Sequence, residues 1–188
     1  MYQLDKNTPL GKNVWFFIKW SAVSTLIGLA TGLVGTIFGH IVMRAGAYFN
    51  KNHWTLALLP AAGLLLVWIY HILKEDKNRG TNMVIESVYT DSDISLGAAP
   101  AIFFGTILTH FSGGEGAALQ MGGSIGSLIG HLMCLDEKDK KIAVMCGMSG
   151  AFAALFGTPM AAALFSMEVI SIGVMYYAAL VPCTFSAF

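Results

Sequence analysis

The chain has 188 residues, of which 55% are hydrophobic and 12% are charged, and its formal net charge is zero. Soluble domains carry about 25% charged residues, so this composition excludes an ordinary soluble domain. The balanced charge, with no basic patch interleaved with aromatic residues, argues against a nucleic-acid partner.

The hydrophobic residues are concentrated in blocks that lack Asp, Glu, Lys and Arg. Six such blocks, each of about 20 residues or more, occupy positions 20–43, 54–73, 94–114, 116–135, 142–167 and 169–188. A helix of this length crosses the hydrocarbon layer and satisfies its own backbone hydrogen bonds in lipid. The sequence therefore predicts an all-α, multi-pass integral membrane protein in which residues 1–188 form a single transmembrane region in the lipid bilayer.

The basic residues predict an orientation. Three lysines lie within the first 19 residues and three basic residues lie within 74–79, whereas the short break at 50–53 holds one lysine. Because cytoplasmic loops of membrane proteins are enriched in Lys and Arg, we expect a cytoplasmic N-terminus. We expect the plasma membrane as the location.

The first predicted elements are a long helix and a return helix. Residues 13–49 predict one continuous helix, on which glycines lie at 28 and 32 and again at 35 and 39. This four-residue spacing lets a neighbouring helix approach closely. Residues 54–73 predict the return helix, and the hydrophilic residues 74–80 predict a turn.

The middle of the chain predicts short, interrupted helices. The segment 80–90 is too short to span a membrane, and Thr81 or Asn82 is suited to cap a helix there. The next apolar block ends at the glycines before Glu115, where another helix is predicted to begin. Glycines at 122, 126 and 130 give that helix a flat face for packing.

A further break is predicted inside the block 142–167. Gly157, Thr158 and Pro159 follow one another as a helix stop, an N-cap and a proline at the first helical position. This block therefore predicts two helices rather than one.

Helices that begin at membrane depth favour binding of an anion. Their N-termini carry unpaired N–H donors and the positive end of the helix dipole. Two such starts are predicted, near Thr81 and near Gly114, and the flanking glycines allow a ligand to approach the backbone closely.

Glu115 is the one charged residue between positions 94 and 135. A structural interpretation is a capping box, in which Ser112 is the N-cap and Glu115 bonds back to its amide. A functional interpretation follows from the cost of an ionisable group in a membrane segment. An ionised Glu115 would occupy the anion site at the helix N-terminus, and a protonated Glu115 would leave it. It would then act as a gate.

Catalytic chemistry has little support. Glu115 and His110 would be an acid and a base, but no nucleophile in register and no metal-ligand pair accompanies them. The three cysteines lack paired or metal-ligand spacing, so packing in apolar segments is the expected role. We therefore predict no enzyme activity, no metal and no cofactor.

Three segments resemble one known family. "GGEGAALQMGGSIG" resembles the G-[RK]-E-G-P-x-x-Q-x-G-G-x-x-G stretch of the CLC family of voltage-gated chloride channels and proton-coupled halide antiporters. "CGMSGAFAALFGTPMAAALFSMEV" resembles the segment that follows it in that family, and "GTNMVIE" lies where the family has G-S-G-I-P-E. The three matches occur in the family's order.

The resemblance implies roles for individual residues. Glu115 matches the gating glutamate, and Gly114, Gly116 and Ala117 would offer backbone amides to the anion. Thr81 matches the serine that contacts the central anion.

The resemblance also bears on protons and on the transported ion. Glu168 matches the first of the family's paired glutamates in the proton pathway, and Val169 stands where proton-coupled members have the second. Channel and proton-coupled exchanger both remain open. Three features depart from the chloride proteins: Gly114 replaces a basic residue, Ala117 replaces proline, and "GTN" replaces "GSG". The last two are similar to the fluoride-exporting branch. Between chloride and fluoride, chloride is slightly favoured as the transported ion because it is the commoner substrate of the family.

The family fold is an inverted repeat, and this chain matches its first half. The resemblance implies either a piece of a longer protein or an antiparallel assembly of two half-chains, with a homodimer expected. The alternative function is a non-conducting half-length protein that pairs with another subunit.

Overall fold

A computed structural model describes residues 9–75, 81–89, 94–95, 97–110, 118–169 and 176–188. The α-helices in these ranges are α1 (Pro9–Lys51), α2 (Leu59–Ile72), α3 (Thr81–Tyr89), α4 (Ala98–His110), α5 (Ala118–Leu132), α6 (Glu137–Phe156), α7 (Pro159–Glu168) and α8 (Leu180–Ala187). Short 3-10 turns, His53–Leu58 and Tyr177–Ala179, precede α2 and α8. Every regular element in the described ranges is helical, which confirms the predicted all-α fold.

Helix α1 is long and apolar enough to cross a membrane, and it is the one described helix that meets both criteria. The predicted helix over 13–49 is confirmed. Its surface remains largely open, with Leu29, Leu33 and Met43 exposed to 68%, 63% and 75%. Such a surface is stable against lipid tails and would be costly in water.

The next block contains a shorter helix than its length without charged residues suggests. The prediction of one return helix over 54–73 is wrong in its first part, because a 3-10 turn precedes the 14-residue α2, which has Pro60 in its first turn. A helix of this length reaches about 20 Å, less than the hydrocarbon thickness of about 30 Å. Within the block 94–114, the described helix is the 13-residue α4.

The break between α6 and α7 is confirmed. Gly157 ends α6 in the left-handed conformation, with φ of 65°, and its N–H donates to the Ala153 carbonyl at 2.8 Å. Pro159 then starts α7, where its missing N–H removes no helical hydrogen bond. Thr158 occupies the N-cap position, but its hydroxyl makes no capping hydrogen bond.

Helix α6 forms the centre of the bundle. It is buried on all sides from Ile142 to Ala151, and it packs against α1, α5, α7 and α8. Its N-terminus is capped by Asp136, whose carboxylate accepts the Asp139 N–H at 2.8 Å.

The closest helix contact joins α5 to α6. A Cβ on Gly122 would collide with the Gly147 carbonyl oxygen, and one on Gly126 would collide with the Ala143 carbonyl oxygen. The predicted glycine face of α5 is therefore confirmed. These collisions involve backbone atoms, which cannot rotate away as a flexible side chain can.

Hydroxyl groups join α8 to α6 in the core. Ser149 donates to the Cys183 carbonyl at 3.0 Å, and Ser186 donates to the Cys146 carbonyl at 2.7 Å. Both cysteines are buried, as predicted, whereas the expected packing role is wrong for Cys134, which is exposed after α5.

The glycines of α1 differ in their surroundings. A Cβ on Gly28 would meet the Ser186 backbone, and one on Gly39 would lie 3.0 Å from Leu155 Cδ2. Among the described residues, no neighbouring atom lies within 4 Å of a Cβ on Gly32. The predicted close approach therefore occurs at some of these glycines and not at Gly32.

Candidate functional site

The described helices α3 and α5 lie at the two predicted positions, and the predicted start near Gly114 falls on residues outside the described part of the chain. Helix α3 begins at Thr81 and α5 begins at Ala118. The backbone of Thr81 belongs to α3, while its hydroxyl lies outside the part of the chain that the structure describes. Glu115, Gly114, Gly116 and Ala117 precede α5 and also lie outside the described residues.

Helices α3 and α5 pack together close to these starts. Val84 is fully buried, and its Cγ1 would lie 2.5 Å from a Cβ on Gly123. Met148 of α6 lies behind the same contact, with Cγ at 3.4 Å from that position. With a rise of about 1.5 Å per residue, the first residues of α3 and α5 lie within roughly 20 Å of each other. The absence of a side chain at Gly123 therefore sets how closely the two helix starts approach.

The first turn of α3 differs from that of α6 in charge. Helix α3 has no acidic residue in its first turn, whereas Glu115 lies three positions before Ala118 of α5, outside the described residues. Helix α6 has Glu137 and Asp139 in its first turn, in addition to its Asp136 cap. Acidic side chains neutralise the positive end of a helix dipole, so the start of α3 is better suited than that of α6 to attract an external anion.

Helix α5 is held firmly behind its start. Gln120 and Ser124 are buried, and the Ser124 hydroxyl donates to the Gln120 carbonyl at 2.8 Å. The glycine contacts with α6 begin one turn further along, at Gly122. A residue just before Ala118 is therefore attached to a helix that has little freedom to shift.

The structure does not bring Glu168 to these helix starts. Glu168 is the exposed last residue of α7, which packs mainly against α6 and α8. Helices α3 and α5 pack against each other and against α6. A proton role for Glu168 stays a prediction. His110 ends α4, and its side chain lies outside the described residues, so a contact with Glu115 also stays a prediction.

An ion pair that the sequence does not reveal joins α1 to α6. The Lys19 ammonium bonds the Asp139 carboxylate, and both side chains are partly buried. These residues are 120 positions apart, and neither lies in a recognisable motif. Charges of both signs surround Asp139 between 136 and 141, so the sequence offers no means of selecting this partner.

Comparison with known proteins gives one family. The family model described as voltage gated chloride channel matches residues 62–188. A chloride/fluoride channel protein of Pseudomonas syringae pv. tomato is 34% identical over 177 residues, covering 92% of this chain and 39% of that protein. An H(+)/Cl(-) exchange transporter ClcA of Vibrio cholerae serotype O1 is 25% identical over 169 residues, covering 78% and 35%.

A solved structure gives the same result for the fold. The crystal structure of a CLC-type fluoride/proton antiporter superposes with a TM-score of 0.84 at 31% identity, covering 97% of this chain and 46% of that one. The chain thus spans less than half the length of these relatives.

Proposed function

The chain belongs to the voltage-gated chloride channel family, whose members are integral membrane proteins, and from this membership we propose that it forms part of a halide pathway across the membrane. The observation that carries the proposal is the packing of α3 on α5 through Val84 and Gly123. It brings the start of α3, which has no acidic residue in its first turn, close to the first described turn of α5.

The proposed mechanism replaces water around the anion with backbone donors. N–H groups at Gly114, Gly116 and Ala117, together with the Thr81 hydroxyl, would bind the dehydrated anion. Fixed donors in a low-dielectric site cost little reorganisation when the ion arrives. The firm attachment of α5 to α6 supports this role, because donors on a mobile helix would lose that advantage.

Glu115 is the proposed gate. Its carboxylate is itself an anion and would compete with the halide for the same amides. Protonation neutralises the side chain and releases the site, so the passage of anions would depend on pH. A proton that binds Glu115 with each anion passage would couple the movement of the two ions, and Glu168 is the proposed further residue of the proton pathway. In a channel, the same gate would open, but the number of protons moved per anion would not be fixed.

We propose fluoride ahead of chloride as the transported ion. This reverses the order that family frequency alone favours. The proposal draws on two relatives above 30% identity whose names include fluoride, and on Ala117 at the position of the family's proline. Fluoride is smaller and more strongly hydrated than chloride, so its binding requires more donors close to the ion.

The pathway needs more protein than these residues. The relatives are more than twice as long as the matched region, so we propose that a second set of helices completes the site. This set would come from further residues of the same polypeptide or from a second copy in an antiparallel or dimeric assembly.

Efflux from liposomes tests the proposal. The purified protein is reconstituted in vesicles loaded with equal fluoride and chloride, and both ions are followed with selective electrodes. The proposal predicts fluoride efflux at least tenfold faster than chloride efflux, corresponding to about 1.4 kcal/mol of discrimination. Faster chloride efflux would overturn the choice of ion. No efflux of either ion from folded, monodisperse protein that includes the second set of helices would overturn transport and favour the non-conducting alternative.

A further inference from the structure

Helix α1 carries residues suited to the membrane interface at two levels. Lys19 follows the half-exposed Trp15, and 25 positions later Arg44 precedes the half-exposed Tyr48. This separation is about 37 Å along the helix, slightly more than the hydrocarbon thickness of about 30 Å. Aromatic and basic residues concentrate at the level of the lipid headgroups. Arg44 therefore lies near one headgroup layer and Lys19 near the other.

The two basic residues differ in what they contact. Lys19 pairs with Asp139. Arg44 is exposed and, in the part of the chain that the structure describes, makes no hydrogen bond or ion pair. An arginine guanidinium is a cation with five N–H donors in a planar fork. A cation at headgroup depth that pairs with no carboxylate of the described residues is complementary to a negatively charged group of the lipid.

A groove lies directly beside Arg44. It has a volume of about 360 Å³ and is lined by Ile41, Arg44, Ala45 and Tyr48 of α1 and by Ile107 of α4. This volume falls within the range of about 300–1,000 Å³ found for ligand sites. Its lining is apolar apart from Arg44 and the Tyr48 hydroxyl. One end thus suits a charged head, and the remainder suits a hydrocarbon chain.

We infer that this groove binds one phospholipid. The Arg44 guanidinium contacts the phosphate in the two-pronged geometry that arginine forms with phosphate oxygens. The apolar residues of α1 and α4 hold the upper part of an acyl chain. A lipid with net negative charge, such as phosphatidylglycerol, is preferred over phosphatidylcholine, whose choline cation is repelled by Arg44. The bound lipid seals the seam between α1 and α4 at this interface.

Native mass spectrometry of the purified, delipidated protein tests this site. Phosphatidylglycerol or phosphatidylcholine is added in neutral detergent, and the fraction of protein that retains one lipid is measured. Wild type should retain phosphatidylglycerol several-fold better than phosphatidylcholine. Arg44→Gln should weaken that retention roughly tenfold, the scale of one charge-assisted contact. Inorganic phosphate at the same concentration should not displace the lipid.

Lys51→Gln is the matched control, because Lys51 is an exposed cation at the same end of α1 but does not line the groove. It should retain the lipid as wild type does. Equal retention by wild type and Arg44→Gln would overturn the inference, as would an equal loss in Lys51→Gln. Wild-type protein that shows no preference between the two lipids would also overturn it. That last measurement does not depend on the folding of any variant.

Discussion

Gly126→Ala tests the packing that fixes helix α5. A Cβ at this position would collide with the Ala143 carbonyl oxygen and would lie 3.2 Å from the Gly147 Cα. Overpacking of this kind costs about 1–3 kcal/mol, and the upper part of that range applies because the obstructing atoms belong to the backbone of α6. Alanine also gains about 1 kcal/mol over glycine in helix propensity, which offsets part of the loss.

Gly32→Ala is the matched control. Gly32 also lies inside a helix, but no neighbouring atom of the part of the chain that the structure describes lies within 4 Å of a Cβ placed there. The control therefore keeps the propensity gain and has no collision. The difference between the two variants isolates the collision, and we expect Gly126→Ala to be less stable than Gly32→Ala by about 2–3 kcal/mol.

Thermal unfolding of both variants in the same detergent measures this difference. At about 2–4 °C per kcal/mol for a chain of this size, Tm of Gly126→Ala should be lower than that of Gly32→Ala by about 4–12 °C. Equal Tm values would refute the close contact between α5 and α6. Helix α5 would then not hold its N-terminus firmly.

Three further substitutions test other parts of the account. Asp136→Ala removes the cap that accepts the Asp139 N–H and should lower the free energy of unfolding by about 1 kcal/mol, measured by thermal unfolding. Asp136→Asn should lower it less, and equal losses in the two variants would exclude a capping role. Ser149→Ala leaves the buried Cys183 carbonyl without this donor and should cost about 1–2 kcal/mol, against almost none for Ser21→Ala, whose hydroxyl is exposed. Thr81→Val removes the proposed donor to the anion and should reduce the ratio of fluoride to chloride efflux by about tenfold. An unchanged ratio would remove Thr81 from the site.

Local signals in the sequence predicted the local features of the fold. The uninterrupted apolar run over 13–49 predicted α1, and Gly157 followed by Pro159 predicted the break between α6 and α7. The four-residue repeat at Gly122 and Gly126 predicted a packing face. Each of these depends on residues that lie close together in the chain, where helix geometry translates spacing directly into position.

Features that depend on distant residues were not predictable in this way. The glycine repeat does not identify Gly147 and Ala143 as the facing residues, because many pairings of two helices bury a flat face equally well. The Lys19–Asp139 ion pair joins residues 120 positions apart. The 3-10 turn before α2 was also missed, because the length of a run without charged residues does not distinguish a 3-10 turn from an α-helix.

The candidate site combines both kinds of inference. A helix start was predicted at Thr81, where α3 begins, and the packing of Val84 on Gly123 brings α3 and α5 together. The roles of Glu115, Thr81 and the amides at 114–117 depend on resemblance to the family and are proposals about chemistry. They require a measurement of ion movement.

The most direct test is the pH dependence of anion efflux from liposomes containing wild type or Glu115→Gln. If Glu115 gates the pathway, wild-type efflux should rise as the pH falls, because protonation releases the carboxylate from the anion site. Glu115→Gln should be fast at every pH, since a neutral amide mimics the protonated side chain. The account would be contradicted if Glu115→Gln retained the pH profile of the wild type.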